Sequence, residues 1–129
     1  MAVLESVKSV TLTAGGAIGQ YEVVEILSAN AGEVTSVATA GNDGVGVALE
    51  AAAADGDKIN VAVITGGGKC KAKAGAAVAA GVALSTDASG RVVTAATGDY
   101  VIGYSLSAAG AANEVLTMLF DKNANVVPA

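Results

Sequence analysis

The chain has 129 residues, a length that suits one domain, and its charged residues give a net charge of −5. An acidic chain with few, scattered cations lacks the basic patch that nucleic acids and anionic membranes attract. A single cysteine rules out an internal disulfide framework, and the absence of histidine removes the commonest general base and metal ligand. Composition therefore favours a protein that is not an enzyme and holds no metal or cofactor.

Short valine-rich segments bounded by Gly, Asn or Asp follow one another along the chain, a pattern typical of β-strands. In chain order they are residues 7–13, 21–27, 33–39, 44–50, 58–64, 91–96, 100–106 and 114–120. Clusters of Asp and Gly at 42–44, 55–57 and 87–90 predict turns between them. This spacing predicts an all-β fold, a small sandwich or barrel. The alanine-rich stretches 50–54 and 75–83 leave room for at most one short helical turn each.

The chain also carries an internal repeat. A shift of 57 residues aligns residues 27–63 with 84–120 without a gap, and both copies read Gly, three residues, Val/Ile-Gly-x-x-Leu-x-Ala-Ala, then an alternating apolar strand. Two copies are too few for a solenoid and predict two related halves packed together. We expect these halves at about 20–64 and 77–121, within one domain spanning 20–121, and equivalent buried places for Leu49 and Leu106.

The glycine–lysine stretch TGGGKCKAKAGA, residues 65–76, invites comparison with a phosphate-binding loop. That loop needs Gly, four residues, Gly-Lys and then Ser or Thr. With Gly68 and Lys69 in this frame, Val63 and Cys70 occupy the first and last positions, so the motif fails. The stretch also lacks the residues that usually flank the modified lysine of a carrier domain.

An ordinary strand explains the same stretch better. At strand period, Lys69, Lys71 and Lys73 share a solvated face while Cys70 and the alanines at 72 and 74 point inward. Cys70 is then a small buried thiol with no histidine to activate it.

The acidic residues outside this stretch are also expected to have structural roles. Asp55, Asp57 and Asp99 do not follow the ligand spacing of a calcium loop, which favours turns. Glu22 and Glu25 lie three apart on a predicted strand, so they face opposite sides and should lie on the surface.

The second half of the chain carries a series of short motifs in a fixed order. They are Ala-Gly at 80–81, a strand and turn at 84–87, Gly-Arg-Val at 90–92, a Thr/Ala-rich strand at 94–98, Ile-Gly-x-x-Leu at 102–106, two alanines at 108–109 and an apolar final strand at 115–120. This series resembles the bacteriophage capsid decoration, or cement, proteins, and the first half matches more loosely.

The resemblance implies a structural viral protein, made in the host cytoplasm, that binds the outer surface of the assembled capsid. It implies that the protein stabilises the shell by bridging major capsid subunits, and that it forms a homo-oligomer, with a trimer favoured over a dimer. It carries over no catalytic residue, no cofactor, and neither nucleic acid nor membrane as a partner. Two alternatives stay open: a small β-barrel carrier or ligand-binding domain, and another virion part such as a tail or head-fibre base.

The two ends of the chain lie outside the repeat. We expect residues 1–19 to form an N-terminal arm or an edge strand and 122–129 a C-terminal tail, and MAVLESVKSV lacks the basic region and apolar run of a signal peptide. Exposed apolar residues on such segments are unfavourable unless a partner covers them. The predicted capsid or oligomer contacts are Val3, Leu4, Val7, Val10, Leu12, Val126 and Val127.

Overall fold

The computed structural model describes residues 9–27, 32–42, 44–64 and 68–120 of the chain. These residues form ten β-strands and no α-helix, which confirms the predicted all-β class. The strands are β1 (Ser9–Ala14), β2 (Val23–Ile26), β3 (Glu33–Ser36), β4 (Gly46–Ala48), β5 (Lys58–Val63), β6 (Lys69–Lys73), β7 (Ala83–Thr86), β8 (Val92–Thr94), β9 (Gly103–Ser105) and β10 (Val115–Phe120).

The strands divide into two units with the same topology. Unit 1 (residues 9–64) is a closed barrel with strand order β1-β3-β2-β4-β5, and unit 2 (residues 68–120) is a five-stranded sheet with order β6-β10-β9-β7-β8. Replacing each strand of unit 1 by the strand five places later reproduces every neighbour relation of unit 2. The closure differs, because β1 and β3 pair at two positions whereas β6 and β8 meet at one isolated bridge, Ala74↔Val92. We therefore describe unit 2 as a barrel of the same topology that is closed by this single bridge.

The structure corrects the register of the repeat. Leu84 occupies the place of Val24, an offset of 60 residues, and Val92 occupies the place of Val34, an offset of 58. The predicted offset of 57 holds at β4 and β5 but is wrong before about residue 41. Unit 1 has extra residues in the connections on either side of β3, which an ungapped comparison cannot accommodate. Each unit also begins with a strand, β1 or β6, that starts before the limits predicted for the halves.

The glycine of the Val/Ile-Gly motif has the same physical cause in both units. Gly46 and Gly103 lie on strands that pair closely with β5 and β10. A Cβ atom at either position would overlap a backbone carbonyl oxygen, that of Ala62 or that of Leu119. The motif therefore marks close backbone approach inside a barrel rather than a turn.

Small aliphatic side chains fill both barrels. The interior of unit 1 is a separate apolar cluster: Ala14, Ile18, Val24, Val34, Ala48, Ala52, Ile59 and Val61. Seven of the eight equivalent positions in unit 2 are buried apolar residues: Ala74, Val78, Leu84, Val92, Ala109, Leu116 and Met118. The eighth position, equivalent to Ala48, holds Ser105. Its buried hydroxyl donates a hydrogen bond to the carbonyl of Ala79 at 2.6 Å.

We predict that Leu116→Ala lowers the free energy of unfolding by about 2–5 kcal/mol, because Leu116 is 1% exposed and its loss leaves a cavity in unit 2. Val115→Ala, one residue away and 45% exposed, should change it by less than about 0.5 kcal/mol. Urea unfolding of both variants measures the difference. Equal losses would mean that the assigned inward and outward faces of β10 are incorrect.

Candidate interaction surfaces

Residues 21–23 of unit 1 lie between β6 and β8 of unit 2. The amide of Lys73 on β6 donates to the carbonyl of Tyr21 at 3.0 Å, and the amide of Val23 donates to the carbonyl of Gly90, just before β8, at 2.6 Å. Because this segment takes up the hydrogen-bonding groups of both strands, β6 and β8 pair with each other only at Ala74↔Val92. Residues 21–23 of unit 1 thus keep β6 and β8 of unit 2 apart, whereas the equivalent strands β1 and β3 pair and close unit 1.

Gly90 permits this close contact. Its backbone has φ of 78°, and a Cβ atom there would lie 2.9 Å from the carbonyl oxygen of Val23. Both the left-handed conformation and the lack of space favour glycine.

The apolar side of unit 1 then packs on the end of unit 2. Val23, Val47 and Ala62 point away from the interior of unit 1, yet each is fully buried. They belong to one cluster with Cys70 and Phe120 of unit 2. The two units therefore share a continuous core.

Glu22 contributes a half-buried polar network to the same junction. Its carboxylate accepts hydrogen bonds from the Ser36 hydroxyl at 2.7 Å and the Gly19 amide at 3.0 Å, and it pairs with the Lys73 ammonium at 3.2 Å. Burial alone would raise the pKa of Glu22, but the hydrogen bonds from Ser36, Gly19 and Lys73 and the charge of Lys73 outweigh it and lower that pKa. The prediction that Glu22 lies on the surface holds only in part, because Lys73 of unit 2 and Ser36 of unit 1 leave its carboxylate half-buried.

Unit 1 has an open apolar groove, which we call the open end of unit 1. It is equivalent to the end of unit 2 that unit 1 covers. Its volume is about 290 Å³, and it is lined mainly by Val10, Leu12, Ile26, Val45, Val61 and Val63. Ile26 is 65% exposed and Val10 is 44% exposed. The equivalent residues of unit 2 are all buried: Cys70, Ala72, Thr86, Ile102, Met118 and Phe120.

A second apolar surface lies on unit 2, and we call it the outer face of unit 2. Ala83, Tyr104 and Leu119 lie side by side on β7, β9 and β10. They occupy the places of Val23, Val47 and Ala62, but Tyr104 is 38% exposed and Leu119 is 41% exposed. Leu49 and Leu106 differ in the same way: they make equivalent backbone bonds, yet Leu49 is half-buried whereas Leu106 is exposed. The expected equal burial of this pair is wrong, because a partner unit covers only the copy in unit 1.

The lysine stretch is β6, as the alternation predicts. Cys70, Ala72 and Ala74 are buried, while Lys71 is exposed and Lys69 and Lys73 are half-buried. Burial raises the pKa of the Cys70 thiol to about 11, which keeps it protonated and unreactive at neutral pH.

The structure locates only part of the predicted contact set. Val10 and Leu12 lie on β1, which pairs with β5, and both line the open end of unit 1. Val3, Leu4, Val7, Val126 and Val127 lie outside the described residues. Sequence reasoning missed Ile26, Tyr104 and Leu119. The available signal was that Tyr104 and Leu119 replace Val47 and Ala62 under the 57-residue offset.

Within the described residues, no group of three or more Cys, Asp or Glu side chains could hold a metal ion. None of the described residues forms a helix of the length and hydrophobicity needed to cross a membrane.

Comparison with known proteins assigns the chain to a family. A family model described as phage cement protein matches residues 5–120, which includes all ten strands. The chain belongs to the phage cement protein family. It is accordingly a structural protein of the phage virion.

A solved structure shares the fold of this cement protein. The head fibre gp8.5 N base of bacteriophage phi29 superposes with a TM-score of 0.72 at 19% sequence identity, covering 90% of this chain and 95% of that one. None of the curated proteins matches the chain.

We predict that Glu22→Gln destabilises this cement protein by about 1–2 kcal/mol at pH 7, because the junction loses charge-assisted hydrogen bonds. The folded-state pKa of Glu22 is lowered, so its ionisation stabilises the native state above the ordinary carboxyl pKa of about 4.3. That contribution is lost as the pH falls through the folded pKa. Urea unfolding at pH 3 to 7 should show a smaller fall in stability for the variant than for the wild type.

Two lysines on β6 provide the matched control. Lys73→Met removes the ion pair with Glu22 and should also weaken the junction, whereas Lys71→Met removes an exposed charge from the same face of β6 and should not. Equal effects of the two substitutions would show that general charge, and not the Glu22–Lys73 contact, governs stability.

Proposed function

We propose that this cement protein binds the outer surface of the assembled phage capsid and stabilises it by bridging neighbouring major capsid subunits. The observation that carries the proposal is the family match over residues 5–120, since it spans both units together with the apolar surfaces at their free sides. The mechanism is thermodynamic linkage. A protein that binds the assembled shell but not its free subunits shifts the equilibrium towards the shell.

We further propose that the protein acts as a homotrimer, made in the host cytoplasm and retained on the outer surface of the virion. The two exposed apolar surfaces support self-association, because contiguous apolar areas are normally covered by a partner. Linking several weak capsid contacts through one oligomer raises the overall affinity without requiring a strong single contact.

A head-fibre base is the second candidate, favoured by the fold shared with the phi29 head fibre base. The carrier or ligand-binding alternative has less support. The open end of unit 1 is apolar and includes Glu33 as its single charged lining residue, whereas small-molecule sites place several polar groups around the ligand.

Purified protein added to shells assembled from the major capsid protein alone tests the proposal. We expect saturable co-sedimentation with shells, none with unassembled subunits, and a higher melting temperature of the shell. At a free concentration 100 times the Kd, each occupied site contributes about 2.7 kcal/mol to shell stability. Binding that leaves shell melting unchanged would support a fibre base instead, and absence of binding would refute the proposal.

A truncation tests the proposed role of the N-terminal segment. Deleting residues 2–8 leaves β1 intact, so we expect weaker binding to shells with the melting temperature of the free protein unchanged. Deleting residues 2–12 also removes most of β1, including Leu12, and should lower the melting temperature. If the shorter deletion binds shells like the full chain, Val3, Leu4 and Val7 do not contact the capsid.

A further inference from the structure

The contact between the two units has a direction. Unit 1 contributes residues 21–23 and the side formed by Val23, Val47 and Ala62, whereas unit 2 contributes its barrel end and the gap between β6 and β8. Since the units share one fold, the outer face of unit 2 is equivalent to the surface that unit 1 contributes. The open end of unit 1, together with the place where β1 meets β3, is equivalent to the surface that unit 2 contributes. Within the described residues, neither of these two surfaces is covered by the other unit.

The free version on unit 2 has the backbone geometry needed for the same contact. Residues 81–83 are equivalent to 21–23, and Gly81 has φ of 81° where Tyr21 has φ of 67°. The amides of Tyr21 and Gly81 make the same bond within their own units, to the carbonyls of Ala48 and Ser105. Residues 81–83 thus already hold the shape that residues 21–23 have between β6 and β8.

The free version on unit 1 is the place where β1 meets β3. The amide of Thr13 and the carbonyl of Gly32 are equivalent to the Lys73 amide and the Gly90 carbonyl. In unit 2 these two groups bond to residues 21–23, but in unit 1 they bond to each other over a long 3.4 Å. An inserted strand would replace this one weak bond with two.

We propose that copies of this protein associate head to tail, with residues 81–83 of one copy entering between β1 and β3 of the next. The carbonyl of Gly81 then accepts from the Thr13 amide, and the Ala83 amide donates to the Gly32 carbonyl. Tyr104 and Leu119 cover the open end of unit 1. The contact breaks the bond between Thr13 and Gly32, inserts a strand segment at that point of the barrel, and buries an apolar face against its end.

Side-chain sizes fit this arrangement along β5. The outer face of unit 2 carries Tyr104 and Leu119 where unit 1 has the smaller Val47 and Ala62. The open end of unit 1 has Val61 and Val63 where unit 2 has the larger Met118 and Phe120. The protruding side chains thus meet more room along β5, whereas on β1 and β2 the groove has Leu12 and Ile26 where unit 2 has the smaller Ala72 and Thr86.

The ion pair of the internal junction is not repeated between copies. The positions of Glu22 and Lys73 hold Val82 and Thr13, so the ion pair has no equivalent there, and Glu33 is the charged residue that lines the groove. The contact between copies is therefore mainly apolar, and we expect a weaker dependence on salt concentration than for a contact held by an ion pair.

A head-to-tail contact joins two different surfaces, so it produces either a closed ring or an open filament. A closed ring leaves no copy of either surface uncovered. This contact is the one through which the proposed homotrimer would form, and in that respect it rests on the proposed function. It does not depend on capsid binding.

Charged substitutions at the two surfaces test the contact. Ile26→Asp alters the open end of unit 1, and Leu119→Asp alters the outer face of unit 2; both residues are exposed, so the fold should be retained, as far-UV circular dichroism and melting will check. Each variant alone should lose self-association, with the dissociation constant raised at least about 30-fold in sedimentation velocity. Val115→Asp is the matched control on β10, because its equivalent in unit 1, Lys58, is exposed and lies outside the internal contact.

Mixing the two defective variants gives the decisive result. Each retains the surface that the other has lost, so an equimolar mixture should form a complex of two chains, one of each kind. Variants that self-associate like the wild type, a mixture that stays monomeric, or a monomeric wild type would each overturn the inference.

Binding to bare shells, measured on the same proteins, separates this result from the proposed function. Self-association lost in the variants, together with a wild type that does not bind shells, would support the contact and refute capsid binding. Variants that lose shell binding while still self-associating would mean that these surfaces face the capsid, which also refutes the contact.

Discussion

The insertion of residues 21–23 between two strands of unit 2 is the interaction on which the rest of the structure depends. It buries Val23 on a side of unit 1 that would otherwise face water, and it places the Glu22 carboxylate within reach of the Lys73 ammonium. It also explains why two units with one topology differ in closure. Without it, the chain would be two small barrels, each poor in aromatic residues and with few large side chains to stabilise it.

Much of the fold could be predicted from the sequence because strands leave a local signal. The alternation of Lys69, Lys71 and Lys73 with small residues correctly gave the two faces of β6. The register of the repeat was harder, because alanine and glycine match by chance and the units differ in the connections around β3. Gly46 and Gly103 fixed the correct offset in the later strands, since close backbone approach leaves little freedom there.

The candidate surfaces were less predictable, and the reason is physical. Whether Glu22 is covered depends on Lys73, 51 residues further along the chain, and nothing in the local pattern of a strand reports it. Equivalent residues with equal local structure have unequal exposure because, in the part of the chain that the structure describes, only one copy is covered by the other unit. The difference in burial between equivalent positions therefore indicates an interaction surface better than the local sequence pattern does, and it can be read only from the three-dimensional structure.

The order of strand pairing has a consequence for how the chain folds. Apart from the bonds that residues 21–23 and 41–42 of unit 1 make to unit 2, every described strand has its partners within its own unit, so the sequence separation of contacts stays below that of an interleaved ten-stranded sheet. Lower contact order favours faster folding, and unit 1 is synthesised first. We expect unit 1 to form its hydrogen bonds while unit 2 is still emerging from the ribosome, with its valine-rich side then serving as the template on which the second barrel condenses.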